Sequence, residues 1–230
     1  MKTLKPWVKL PTAWIEDGGL KNFRWKPGEG ATNVASLMLL MVIAQHAEGS
    51  TGITKLTYDT LCIATGLSRT KVAQGLDVLI RRNIVKRSSA NRSTYYLTSY
   101  DPKKGWAKLP ALKLYSGDQI VAFRNFTLRN RTELESLKAY FTFVARRSRE
   151  ENVAIMTYDK IEEYAGIPRA WISRATSFLA ACDLIRISQM PTGASGFGGV
   201  NTYRLTHIDP YRHNGTTGRS RQSYPETAFV

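Results

Sequence analysis

The chain has 230 residues, enough for one large domain or for two of about 100 residues that each bury a core. Hydrophobic residues make up 43% and aromatics 10%, which excludes a disordered chain, while 33 Lys plus Arg against 18 Asp plus Glu leave a formal charge of +15 that calls for an acidic partner. The most apolar run, Ala35 to Ala44, is about half of a bilayer span, and Met1 to Leu10 lacks the apolar centre of a signal peptide, so a cytoplasmic protein with no membrane partner is expected.

Taken in chain order, Trp7, Lys9, Leu10 and Pro11 open the sequence, with the tryptophan expected as a core or interdomain anchor. Leu37, Leu40, Met41 and Ala44 then mark the apolar face of a first helix. A short helix is expected from Tyr58 to Thr65, stopping at Gly66. Ser68 suits the N-cap of the next helix, which places Val72, Leu76, Leu79 and Ile80 on one face. Gly75 in its middle costs about 1 kcal/mol relative to Ala, and fits either close helix packing or close approach to a nucleic-acid backbone. Ile84 to Arg87 and Thr94 to Thr98 read as two strands around the polar turn Ser88 to Arg92.

At Trp106 the order begins again. Trp106, Lys108, Leu109 and Pro110 restate the opening motif 99 positions later, and Phe123-Arg124 restates Phe23-Arg24 at 100. Leu134, Leu137, Tyr140, Phe141 and Val144 mark a helix face. Thr157, Tyr158, Asp159, Gly166 and Arg169 repeat Thr57, Tyr58, Asp59, Gly66 and Arg69, again 100 positions on. A helix from Tyr158 to Ala165 follows, then one with Pro168 in its first turn and Ile172, Ala175 and Leu179 facing inward. Strands are expected at Leu184 to Met190 and Thr202 to Thr206. The register slips only in the Gly-rich stretch from Pro191 to Gly199, consistent with a variable hairpin loop. The expected organisation is a unit over 1–104, a second over 105–210, and a flexible basic tail over 211–230 that carries Arg212, Arg219 and Arg221.

Three helices followed by a β-hairpin resemble the winged helix, a helix-turn-helix variant, and the chain resembles two of them in tandem. The expected fold class is therefore mostly α with small β-hairpins (α+β), in two winged helix-turn-helix domains from an internal duplication. The motif WxKLP, a helix, TYDxLxxxTGLSR and a closing YYLT is similar to the winged-helix modules of plasmid and phage replication initiators and of mobile-element transcription regulators. The resemblance implies a sequence-specific double-stranded DNA binder, bacterial and nucleoid-associated.

In that fold the second helix of the motif enters the major groove, and the residues off its apolar face read base edges. Those are Arg69, Thr70, Lys71, Gln74 and, at the margin, Asp77 in the first unit. In the second they are Arg169, Ala170, Trp171, Ser173, Arg174 and Ser177. Because the two sets differ, the units are expected to read different sequences, or one to read bases while the other grips the backbone. Arg81, Arg82, Lys86, Arg87, Arg92 and Arg186 are placed to neutralise phosphates. Each lone cation has a plain alternative as a solvated surface residue, and Trp171 has one as a packing residue.

Catalytic chemistry finds no support. His46, His207 and His213 have no metal-site spacing, Cys62 and Cys182 occupy non-equivalent positions, and the Gly-rich stretch lacks a phosphate-binding lysine. No enzyme, metal or cofactor is expected; a homodimer or a protein partner remains open. Two other functions compete. One is a protein-interaction adaptor, which has no use for the +15 charge; the other is a single-stranded nucleic-acid binder, for which Tyr95, Tyr96 and Tyr203 are the candidate stacking residues. Tandem units related by a twofold favour inverted repeats and units related by translation favour direct repeats; the sequence leaves both open.

Overall fold

A computed structural model describes residues 4–148, 150–191 and 199–208. The expected tail over 211–230 and the tip of the Gly-rich loop lie outside the described residues. The fold is mixed α/β, with seven α-helices and small antiparallel sheets among the described residues.

The first half runs β1 (Trp7–Pro11), α1 (Ala13–Glu16), a 3-10 turn (Gly19–Asn22), α2 (Gly30–Gln45), β2 (Ile53–Lys55), α3 (Tyr58–Thr65), α4 (Arg69–Arg81), β3 (Val85–Arg87) and β4 (Thr94–Leu97). The second runs β5 (Trp106–Pro110), β6 (Tyr115–Ser116), β7 (Gln119–Ile120), α5 (Arg131–Arg146), β8 (Val153–Ile155), α6 (Tyr158–Ala165), α7 (Arg169–Ala181), β9 (Ile185–Pro191) and β10 (Gly199–Leu205), with 3-10 turns at Leu112–Leu114 and Val121–Asn125. Two three-stranded sheets have the orders β2-β4-β3 and β8-β10-β9. The third strand of each, β2 and β8, is additional to the expected hairpin.

Local chemistry accounts for the helix bounds. The Thr57 hydroxyl accepts from the Thr60 amide at the start of α3, and the Thr157 hydroxyl accepts from the Lys160 amide at the start of α6. Both helices stop at a glycine in the left-handed region, Gly66 at φ 74° and Gly166 at φ 63°. Ser68 caps α4 by accepting from the Lys71 amide, whereas Pro168 sits at the capping position just outside α7 rather than in its first turn. At the head of α5 the buried Glu133 carboxylate accepts from the Thr127 amide at 3.0 Å, the Thr127 hydroxyl at 2.7 Å and the Leu128 amide at 2.6 Å.

Packing corrects two expectations. Helix α2 is not amphipathic in place: every residue from Asn33 to Gln45 is buried, because α4, α5 and β1 cover it from different sides. On α4, Val78 is buried where Ile80 was expected, and Ile80 is 36% exposed. Gly75 explains the roll. A Cβ there would lie 2.7 Å from Leu39 Cδ1 and 3.1 Å from the Ser36 amide nitrogen, so α4 approaches α2 most closely on the Gly75 side and carries Val78 inward. Of the two roles open for this glycine, close helix packing is the one the geometry uses.

The halves are joined rather than strung. β1 pairs antiparallel with β5 in a register that sets Lys9 opposite Lys108, Trp7 opposite Pro110 and Pro11 opposite Trp106. Since the two strands carry the same motif, this pairing is symmetric about the two lysines. The Trp7 and Trp106 rings stack at 6.1 Å and 12°, with Lys9 Nζ 4.8 Å from the Trp106 centroid and Lys108 Nζ 4.5 Å from that of Trp7. Cross-packing follows the same symmetry: the Gly19–Asn22 turn lies against α6, while β7 lies against α3. α2 also contacts α5, and one hydrophobic core runs through both halves.

Candidate nucleic-acid interface

Helix α4 is anchored by Val72, Gly75, Leu76, Val78 and Leu79, which directs Arg69, Thr70, Gln74, Asp77 and Arg81 into solvent and leaves Lys71 half-buried. Lys71 Nζ donates to Gln74 Oε1 at 3.0 Å, so the two candidate base readers share one hydrogen bond along the helix. Helix α7 is anchored by Ile172, Ala175, Thr176 and Leu179, with Arg169, Ala170, Ser173, Arg174 and Ser177 exposed. Trp171 is half-buried between two cations: Arg131 lies 4.6 Å and Arg174 5.5 Å from its ring. Arg131 in turn contacts Glu135 at 3.0 Å.

The expected phosphate contacts separate into three kinds. Arg81 at the end of α4, and Lys86, Arg92 and Arg186 on the hairpin strands and turn, are exposed. Arg87 is half-buried; its Nε donates to the Arg92 carbonyl at 2.7 Å, and its guanidinium lies over the Tyr58 and Tyr95 rings, so it holds the hairpin turn closed. Arg82 is committed internally. It donates to the Asn22 carbonyl at 2.8 Å and covers the Phe23 ring at 3.9 Å, and burial lowers its pKa, so it ties the end of α4 to the N-terminal segment instead of facing a ligand.

Two carboxylates were not among the sequence candidates. Asp59, in the first turn of α3, pairs with Arg69 Nη2 at 2.5 Å, and Asp159, at the same place on α6, pairs with Arg169 Nη1. Their sequence signal was the joint recurrence of Asp and Arg ten positions apart in both halves.

Tyr95 and Tyr203 are buried, and Tyr203 stacks on Phe143 at 4.1 Å; of the three tyrosines proposed to stack on single-stranded bases, only Tyr96 is exposed. Among the described residues no group of His, Cys, Asp and Glu is arranged to hold a metal, and no helix is long and apolar enough to cross a membrane. Cys62 and Cys182 are free thiols, and burial pushes the Cys182 thiol up to about 11, away from the range of a reactive thiolate. The class that fold and surface define is thus a mixed α/β protein whose halves are joined by a symmetric ribbon and each present one helix, α4 or α7, with a polar, cationic exposed face. Comparison with known protein families and with curated proteins finds no match to the chain.

Proposed function

We propose that the chain is a sequence-specific double-stranded DNA-binding protein built from two tandem winged helices, α2 to β4 and α5 to β10, and that it regulates transcription or initiates replication of a plasmid, phage or mobile element. α4 and α7 are the reading helices, and the β3–β4 and β9–β10 hairpins are the wings. The observation that carries this proposal is the pairing of two equivalently anchored helices whose exposed faces are polar and cationic but unlike in sequence, in a chain of charge +15. An adaptor would gain nothing from that charge, and a single-strand binder would need an aromatic platform that the buried Tyr95 and Tyr203 do not supply.

The ribbon also favours one arrangement of half-sites. A register centred on Lys9 and Lys108 is a local twofold of the ribbon, and duplex DNA has twofold axes of its own; we infer that α4 and α7 follow the ribbon's twofold and so meet half-sites in opposed orientation. Their unlike faces make the two half-sites differ in sequence. Selection of duplex fragments by the purified chain at low and high salt, followed by sequencing, tests this. One motif with two opposed, non-identical halves is expected, and Arg69→Ala or Lys71→Ala should relax one half only. Retention of no duplex at either salt would replace DNA binding with the adaptor function.

A further inference from the structure

We propose that Asp59 and Asp159 are positioning residues that aim Arg69 and Arg169 at base edges and withhold them from phosphate; this rests on the DNA-binding function above. The two ion pairs occupy the same place in each half, from the first turn of one helix to the first residue of the next. They persist although the reading faces otherwise diverge: Lys71 stands where the second half has Trp171, Gln74 where it has Arg174, and Asp77 where it has Ser177.

Folding does not account for this recurrence. The paired side chains are 61% to 77% exposed, and exposed pairs contribute little to stability because water screens them. An arginine as the first residue of a helix also sits at the positive end of the helix dipole, where a cation is disfavoured. What the carboxylate beside it supplies is a direction for the guanidinium. Arg169 is steered further by the Tyr158 ring, 5.9 Å from its guanidinium.

Guanidinium chemistry supplies the function. Its five N–H donors lie in a planar fork, so one edge can stay on a carboxylate while another meets guanine O6 and N7. Phosphate is the competing partner, attracting an unrestrained arginine at every sequence alike. A fixed negative charge next to the arginine repels phosphate and leaves the neutral base edge as the better ligand. Asp59 and Asp159 thereby raise the ratio of specific to non-specific affinity rather than affinity itself.

The test uses the full chain with Asp59→Asn, Asp159→Asn and both together, and with Asp59→Glu as the conservative variant. Affinity for the selected duplex and for a scrambled one is measured across salt concentrations, alongside the melting temperature. Each Asn variant is expected to keep its melting temperature, bind scrambled DNA more tightly, and lose about tenfold in discrimination, the size of one good base contact. Its salt slope on scrambled DNA should steepen by about one released counterion, and Asp59→Glu should recover most of the discrimination. Wild-type discrimination with unchanged ratios and slopes in the Asn variants would overturn the positioning role alone. So would a ratio that falls together with the melting temperature and is not recovered by Asp59→Glu. If the wild type itself fails to discriminate, the DNA-reading function falls and this role falls with it.

Discussion

Truncating Leu20 should destabilise the half of the chain to which it does not belong. Leu20 is fully buried in the Gly19–Asn22 turn, which packs against α6 of the second half. Leu→Ala at such a site costs about 3 kcal/mol, from lost transfer energy and the cavity left behind. For a chain of this length each kcal/mol moves the melting temperature by about 2–4 °C, so Leu20→Ala should lower it by about 6–12 °C. Because one core runs through both halves, calorimetry should show one transition before and after the change. Hydrogen exchange gives the local readout: amides of α6 and α7 should lose protection along with those of α3 and α4. Two calorimetric transitions, or exchange that rises only before residue 105, would refute the shared core as the unit of cooperativity.

Other consequences can be measured separately. Lys86→Ala and Arg92→Ala, both exposed on the first hairpin, should weaken binding to all duplexes alike and each lower the salt slope by about 1 in a filter or anisotropy titration. Glu133→Ala removes three hydrogen bonds to a buried carboxylate and should cost about 3 kcal/mol in urea unfolding. Burial holds the pKa of His46 below its ordinary value, opposed by the weaker attraction of Asp118. A depressed folded-state value makes this contribution complete above the unfolded value and loses it as pH falls, so melting temperature should decline below about pH 6.5 and decline less in His46→Phe.

What the sequence made legible followed from local rules. The bounds of α3 and α6 rest on Thr57 and Gly66, and on Thr157 and Gly166, each a cap whose chemistry lies within a few residues of the helix it ends. The ribbon was not legible, because two five-residue strands almost a hundred positions apart leave no periodic signal beyond their shared motif. The enclosure of α2 was legible but is missed by marking only Leu37, Leu40, Met41 and Ala44, since every position from Leu37 to Ala44 is apolar, the pattern of a helix covered on all sides. The outward faces of α4 and α7 were legible from the spacing of their buried anchors. The fate of Arg82 was not, because nothing local distinguishes an arginine that will cover Phe23, nearly sixty residues away, from one that stays in solvent. Asp59 and Asp159 carried a signal only as a pair, through their recurrence together with Arg69 and Arg169.

The ribbon bears on how such a chain could be cut apart. β1 pairs with a near copy of itself in a register symmetric about one lysine, which is the pairing two identical strands would adopt across a dimer axis. A fragment ending before β5 would keep its edge, its tryptophan and its lysine, and would lack only a neighbour that a second fragment can provide. Separating the halves should therefore yield self-associating pieces rather than monomers, with the covalent link acting to select the unlike partner over the like one.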